Sequence, residues 1–151
     1  MMTKKTYVLL ILAALLGAAY VYNFTDWINA PRIQIYESSR PIRFRRAAPN
    51  VYPVSFILDG HYKLTSVQVF AVADLGAQAR PTPLWRLVSA SNSVPTQGFF
   101  YGQRIRGMKP WRTNAPTKPL EPNVTYRLLV RAGRARGEVD FQPKPVAAES
   151  P

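Results

Sequence analysis

Side chains able to do chemistry are scarce on the acidic side of this chain and plentiful on the basic side. It has one histidine, no cysteine, and 8 carboxylates against 20 lysines and arginines, a formal net charge of +12 over 151 residues. Without cysteine, a disulfide framework, a thiolate metal site, a thiol nucleophile and a thioether lipid anchor are all excluded. His61 follows Asp59-Gly60, which reads as a turn. No second imidazole or cluster of carboxylates accompanies it, so neither a metal site nor an oriented base is expected there. The carboxylates are scattered. The closest pair, Glu138 and Asp140, would share one strand face near Arg134 and Arg136, as charge partners on a solvated surface. Acid/base pairs stand across a cleft instead. No glycine-rich phosphate loop and no Gly-x-Ser-x-Gly elbow occurs. The expectation is a protein with no catalytic residues, no cofactor and no metal.

The basic residues form two groups. Arg40, Arg43, Arg45 and Arg46 lie close behind an apolar N-terminal segment. Arg127, Arg131, Arg134 and Arg136 gather further on, with Arg104 and Arg106 on the preceding predicted strand. The candidate surface for an anionic partner is Arg43, Arg45, Arg46, Arg104, Arg106, Arg131, Arg134 and Arg136. Such a face attracts anionic lipid, acidic glycan, nucleic acid or an acidic protein. Beside an anionic leaflet each arginine adds ~1 kcal/mol of attraction. Nucleic acid is the less favoured partner, because it needs a basic stripe with exposed aromatics, and Tyr101 and Trp111 can both serve a core or a loop. The plain alternative is a solvated cationic surface with no dedicated ligand.

These groups must be held by short strands. The 14 prolines argue against a long helical bundle. Ile33 and Ile35 alternate with polar residues, as do Ile42 and Phe44. Val51 to Leu58 reads as a strand interrupted by Pro53, closed by the Asp59-Gly60 turn. Leu64 to Val72 is the clearest central strand, Asp74 to Pro83 a loop, Leu84 to Val88 a short strand carrying Trp85, and Ser89 to Gly98 a polar loop. Phe99 to Met108 reads as a strand, and Lys109 to Pro119 as a proline-containing excursion with Trp111. In the strand that follows Pro122-Asn123, Tyr126, Leu128 and Val130 point one way, with Arg127, Leu129 and Arg131 opposite. Gly133 and Gly137 bracket a basic turn, and Glu138 to Phe141 returns as a hairpin strand.

The series Leu120, Pro122, Tyr126, Leu128, Val130 and Ala132 resembles the penultimate strand of fibronectin type III and related immunoglobulin-like domains, a resemblance confined to residues 120–141. In that family the tyrosine bonds its hydroxyl back to the preceding turn. The resemblance implies an antiparallel β-sandwich and no catalytic role. The chain departs from the family pattern in lacking a tryptophan on its early strand, since Val51 to Leu58 has none and Trp85 lies later.

The run from Tyr7 to Tyr22 contains no charge, and Lys4 and Lys5 precede it. Carried to Phe24 it spans ~27 Å as a helix, a short crossing of a hydrocarbon core of ~30 Å. Tyr7, Leu10, Leu12, Leu15, Leu16, Tyr20 and Tyr22 are the candidate membrane-spanning residues, the tyrosines suiting the headgroup level. A cleaved signal peptide is the rival, with Gly17 and Ala19 before a cut at Tyr20. A buried helix of a soluble protein is the third reading. The predicted organisation is a basic tail over 1–6, a signal-anchor over 7–24, a connector over 25–31, a β-sandwich over 32–142 and a disordered tail over 143–151. The two lysines favour a cytoplasmic N-terminus and an exported β domain, whereas the arginines after the segment count against export. The expected function is a single-pass, membrane-anchored binding or structural module of the cell envelope. Its expected partners are the lipid bilayer, through the N-terminal helix, and another envelope protein or an anionic polymer.

Overall fold

Uncharged apolar residues in an unbroken run satisfy their backbone most simply as a helix, and α1 spans Lys4–Phe24. The computed structural model describes residues 1–24, 30–42, 50–77, 79–89 and 93–146. It divides into two units, Met1–Pro31 and Arg32–Pro151. In the first, α1 begins one turn earlier than the expected Tyr7, taking in Lys4 and Lys5. The Thr3 carbonyl accepts the first helical bonds, from Thr6 N–H at 2.9 Å and Tyr7 N–H at 3.3 Å. At 21 residues the helix is about 32 Å long, the added turn being Lys4-Lys5-Thr6, so its uncharged part is still the run from Tyr7 to Phe24. Asn23, the one amide in its last turn, donates one N–H to the Ala19 carbonyl at 3.1 Å. No residue of α1 is buried. A core helix of a soluble protein would be mostly buried, so that third reading finds no support.

The second unit is mainly β. Its strands are β1 (Ile35–Ser39), β2 (Val54–Tyr62), β3 (Ser66–Ala71), β4 (Trp85–Val88), β5 (Thr96–Phe100), β6 (Lys109–Pro110), β7 (Tyr126–Ala132) and β8 (Ala135–Phe141), with a short helix α2 (Val72–Ala77) after β3. They form two antiparallel sheets, one of order β1-β2-β5 and one of order β6-β4-β3-β7-β8. Alternation decides what each strand buries. Phe56 and Leu58 of β2, Val67 and Val69 of β3, Trp85 and Leu87 of β4, and Leu128 and Val130 of β7 all enter one core cluster. Aromatic contacts join the sheets: Phe56 meets Phe141 of β8 at 5.0 Å between ring centroids, and Trp85 meets Phe99 of β5 at 6.1 Å.

Several expectations are corrected. Asp59-Gly60 is not a turn, because β2 runs through it to Tyr62. The pairing of β2 with β5 shifts between Ile57 and Tyr62, so the dipeptide sits in an irregular stretch of the strand. Asp59 also donates its N–H to the Gln34 carbonyl at 3.0 Å, which extends the pairing of that edge. His61 therefore lies on a strand. The strand expected over Phe99 to Met108 ends at Phe100, where the chain turns at Tyr101-Gly102 with Gly102 at φ 76°. The loop expected from Asp74 begins instead inside α2. Residues 143–146, expected in a disordered tail, are bound: Pro143 is fully buried, Lys144 accepts from Tyr52 N–H at 3.0 Å, and Pro145 bridges Val51.

At the opposite edge, Ile33 donates its N–H to the Arg136 carbonyl at 2.7 Å, and Arg32 bridges Arg136 in parallel. Gly137 permits this approach. A Cβ there would lie 2.5 Å from the Ile33 carbonyl oxygen and 3.0 Å from the Ile33 Cβ. Gly137→Ala is therefore expected to destabilise the β unit by about 1–3 kcal/mol, as overpacking does. Gly76→Ala, where a Cβ meets open space, is expected to be neutral or mildly stabilising. Denaturant unfolding of the full chain in detergent, followed by tryptophan fluorescence, checks both.

Candidate functional site

Because Val67, Val69, Leu128 and Val130 face the core, the residues between them on the five-stranded sheet face outward. Register places these in rungs. The first rung is Arg136, Arg131, Ser66, Val88 and Lys109, each opposite the next. The second is Glu138, Leu129, Gln68 and Arg86. The third carries Asp140, Arg127 and Phe70. Arg131 and Arg136 are thus brought together directly across the hairpin, an arrangement of like charges that is unfavourable without a counter-charge. Arg134 sits in the hairpin turn itself.

Other members of the predicted basic surface are elsewhere. Arg43, Arg45 and Arg46 lie outside the described residues. Arg104 and Arg106 are exposed, but on the connection after β5 and not on a strand. They part company there. Arg106 accepts from Val94 N–H at 3.2 Å and lines a shallow cavity with His61 and Gln103. Arg104 lines a different groove, beside β4. Among the described residues no group of three or more His, Cys, Asp or Glu side chains could hold a metal ion.

Local structure builds the groove at the β4 edge. Trp85 and Leu87 bury their side chains in the core, which turns Arg86 outward. Beyond Pro110 the chain leaves the sheet, folds over at Arg112 to Ala115, and returns so that Lys118 donates its N–H to the Leu84 carbonyl at 3.1 Å. Tyr101 secures the return segment by donating its hydroxyl to the Lys118 carbonyl at 2.7 Å, while its ring packs edge-on to Trp85 at 5.4 Å. Burial raises the phenol pKa of Tyr101, so this donor keeps its proton. Between β4 and the return segment lies a space of about 320 Å³. The Arg86 and Arg112 guanidinium carbons stand 4.6 and 4.5 Å from the centre of the Trp111 ring. Arg104 and Lys118 also line the space, and no carboxylate does.

Sequence reading marked the Lys109 to Pro119 excursion and Trp111, but not Arg86, Arg112 or Lys118. The signal available was the juxtaposition of Trp111 with Arg112. Nothing local links either of them to Arg86.

Compared with known proteins, the chain matches no family model, no curated protein and no solved structure.

One ion pair balances the third rung. Arg127 Nε lies 2.6 Å from Asp140 Oδ1, and Nη2 donates to Oδ2 at 2.9 Å. Hydrogen bonding from Arg127 holds the Asp140 carboxyl below the usual carboxylate range. A carboxyl with a lowered folded-state pKa stabilises above its unfolded value and loses that contribution as pH falls through the folded value. Both side chains are partly solvated, so the pair is worth no more than about 1 kcal/mol. Asp140→Asn is expected to lower stability by up to that amount near neutral pH. The difference between variant and parent should vanish once the solution is well below about pH 4. Paired urea titrations across pH 2–7 measure it.

Proposed function

We propose that this protein is a single-pass, membrane-anchored display module, with the N-terminus cytoplasmic and an immunoglobulin-like or fibronectin-type β-sandwich outside the cytoplasm. Its role is binding or structural, as an accessory protein of the cell envelope. The carrying observation is α1: a helix of 21 residues with mean hydropathy 1.9 across its apolar window and none of that window buried. Such a surface is stable against lipid and unfavourable against water.

The sandwich reading has its own support. The orders β1-β2-β5 and β6-β4-β3-β7-β8, with the two-residue β6 set aside, are compatible with the A-B-E and C′-C-F-G sheets of immunoglobulin-like domains. Tyr126, at the start of β7, accepts a hydrogen bond on its hydroxyl from Glu121 N–H at 2.9 Å, the corner contact of that family. Trp85, on β4, fills the core where the family uses a tryptophan on an earlier strand. The loops at the ends of such a domain are its usual contact surfaces.

A second reading has the first rung behind it. Arg131, Arg136 and Lys109 on one exposed row would suit an anionic polymer, and nucleic acid if the domain faced the cytoplasm.

The test is a C-terminal fusion to a reporter active only outside the cytoplasm, combined with alkaline extraction of membranes. The expected result is an active reporter on a full-length chain that stays in the membrane pellet. A full-length pelleted chain with a silent reporter would reverse the orientation and favour the second reading. A shortened chain in the soluble fraction would replace the anchor with a cleaved signal.

A further inference from the structure

The groove beside β4 has a charge balance that the fold alone does not require. Arg86, Arg104, Arg112 and Lys118 line a space of about 320 Å³ that no carboxylate lines. None of the four has an ion-pair partner among the described residues. Gathering like charges along one groove is unfavourable unless an anion joins them. The arginines are also held in place. The Arg86 and Arg112 guanidiniums lie against Trp111, and the Arg86 Nε is buried with no hydrogen-bond partner, so ring contact rather than hydrogen bonding positions Arg86. A guanidinium over a ring face keeps its terminal Nη donors for a forked contact with an oxyanion, and for Arg86 the fork would be its two Nη groups, since its Nε is buried. The walls are tied on both sides, by Trp111 N–H to the Arg86 carbonyl at 3.2 Å and by Tyr101 to Lys118 at 2.7 Å. Their volume is at the lower end for a small-molecule site.

We propose that this groove binds a phosphoryl group, with Arg86 and Arg112 as the forked donors and Arg104 and Lys118 supplying the remaining positive charge. A phosphate monoester suits it better than a carboxylate. It carries close to two negative charges and three peripheral oxygens, so it meets more of the four cations at once. The volume also admits a small substituent on the phosphate. The source of that group is either a soluble phosphate ester or a phospholipid headgroup. The inference rests on the β unit alone, so its failure leaves the membrane reading standing, and the reverse also holds.

The experiment uses the full chain in an alkyl maltoside, which contains no phosphate, at about 150 mM salt to suppress diffuse attraction. Glycerol 3-phosphate is titrated calorimetrically, and in a parallel arm dioleoyl phosphatidic acid is supplied in mixed micelles. Saturable binding in the first arm identifies a soluble ester as sufficient, and binding in the second arm alone identifies the headgroup. In either case Arg112→Gln is expected to weaken binding at least about tenfold. Arg86→Lys, which keeps the charge but loses the fork, should also weaken it. Arg136→Gln, on β8 and three strands away from β4, should leave it unchanged. Absence of saturable binding in both arms overturns the proposal. Equal losses from Arg136→Gln and Arg112→Gln would overturn it too, because they would show diffuse attraction to a cationic surface.

Discussion

The contact between Phe56 and Phe141 is the joint on which the β unit depends. Phe56 is fully buried in the first half of β2 and meets Phe141, from the last strand of the other sheet, edge to face at 74°. Its ring also packs on Phe99 in its own sheet, and Phe99 in turn reaches Trp85 across the core. Neither sheet can bury its apolar face alone. Each becomes stable by covering the other, and aromatic rings supply the largest area per residue for doing so. The chain closes around this joint at both ends. Ile33 lies against Gly137 next to β8, and Pro143 is enclosed as the chain leaves β8 to bond along Tyr52.

That core dictates where charge can go. With the inner positions of β3, β4 and β7 taken by valine, leucine and tryptophan, the arginines between them must point outward. On the β7-β8 hairpin this sets Arg131 against Arg136, while Arg127 finds Asp140. At the far edge the sheet ends early. β6 has only two residues, and its last backbone bond to β4 runs from Trp111 N–H to the Arg86 carbonyl at 3.2 Å. The chain turns away after Trp111, and its return segment becomes the second wall of a groove. The groove is a product of edge termination as much as of charge.

The helix α1 is long and apolar enough to cross a membrane. It has no acidic residue in its first turn, no basic residue in its last and no buried side chain. Neither dipole compensation nor packing within the protein supports it. An apolar surroundings would, since unsatisfied backbone groups there are costly and a helix satisfies them internally. The β unit is held by mutual burial of two sheets, and the helix has no burial of that kind.

Much of this was legible along the chain, because it follows from local periodicity. The uncharged run to Phe24 specified a helix long enough to cross a membrane. Alternation from Tyr126 to Ala132, with Gly133 at φ 61° in the turn, specified the β7-β8 hairpin and which of its side chains are buried. Residues lacking a local reason for their conformation were misread. Asp59-Gly60 resembles a turn, yet pairing on both sides of β2 carries the strand through it. Phe99 to Ile105 alternates like a strand, yet Gly102 turns the chain after Phe100. The predicted cationic surface likewise divided once the chain folded, with Arg131 and Arg136 sharing a rung and Arg104 and Arg106 lining different cavities. The sequence by itself determined the apolar helix, the β-rich unit and the excess of positive charge, since composition and short-range spacing control these. Only the tertiary structure decided which cations meet. Arg112 adjoins Trp111 in the sequence, whereas Arg86 lies far from it along the chain, and the antiparallel edge of β4 with β6 is what brings Arg86 to Trp111.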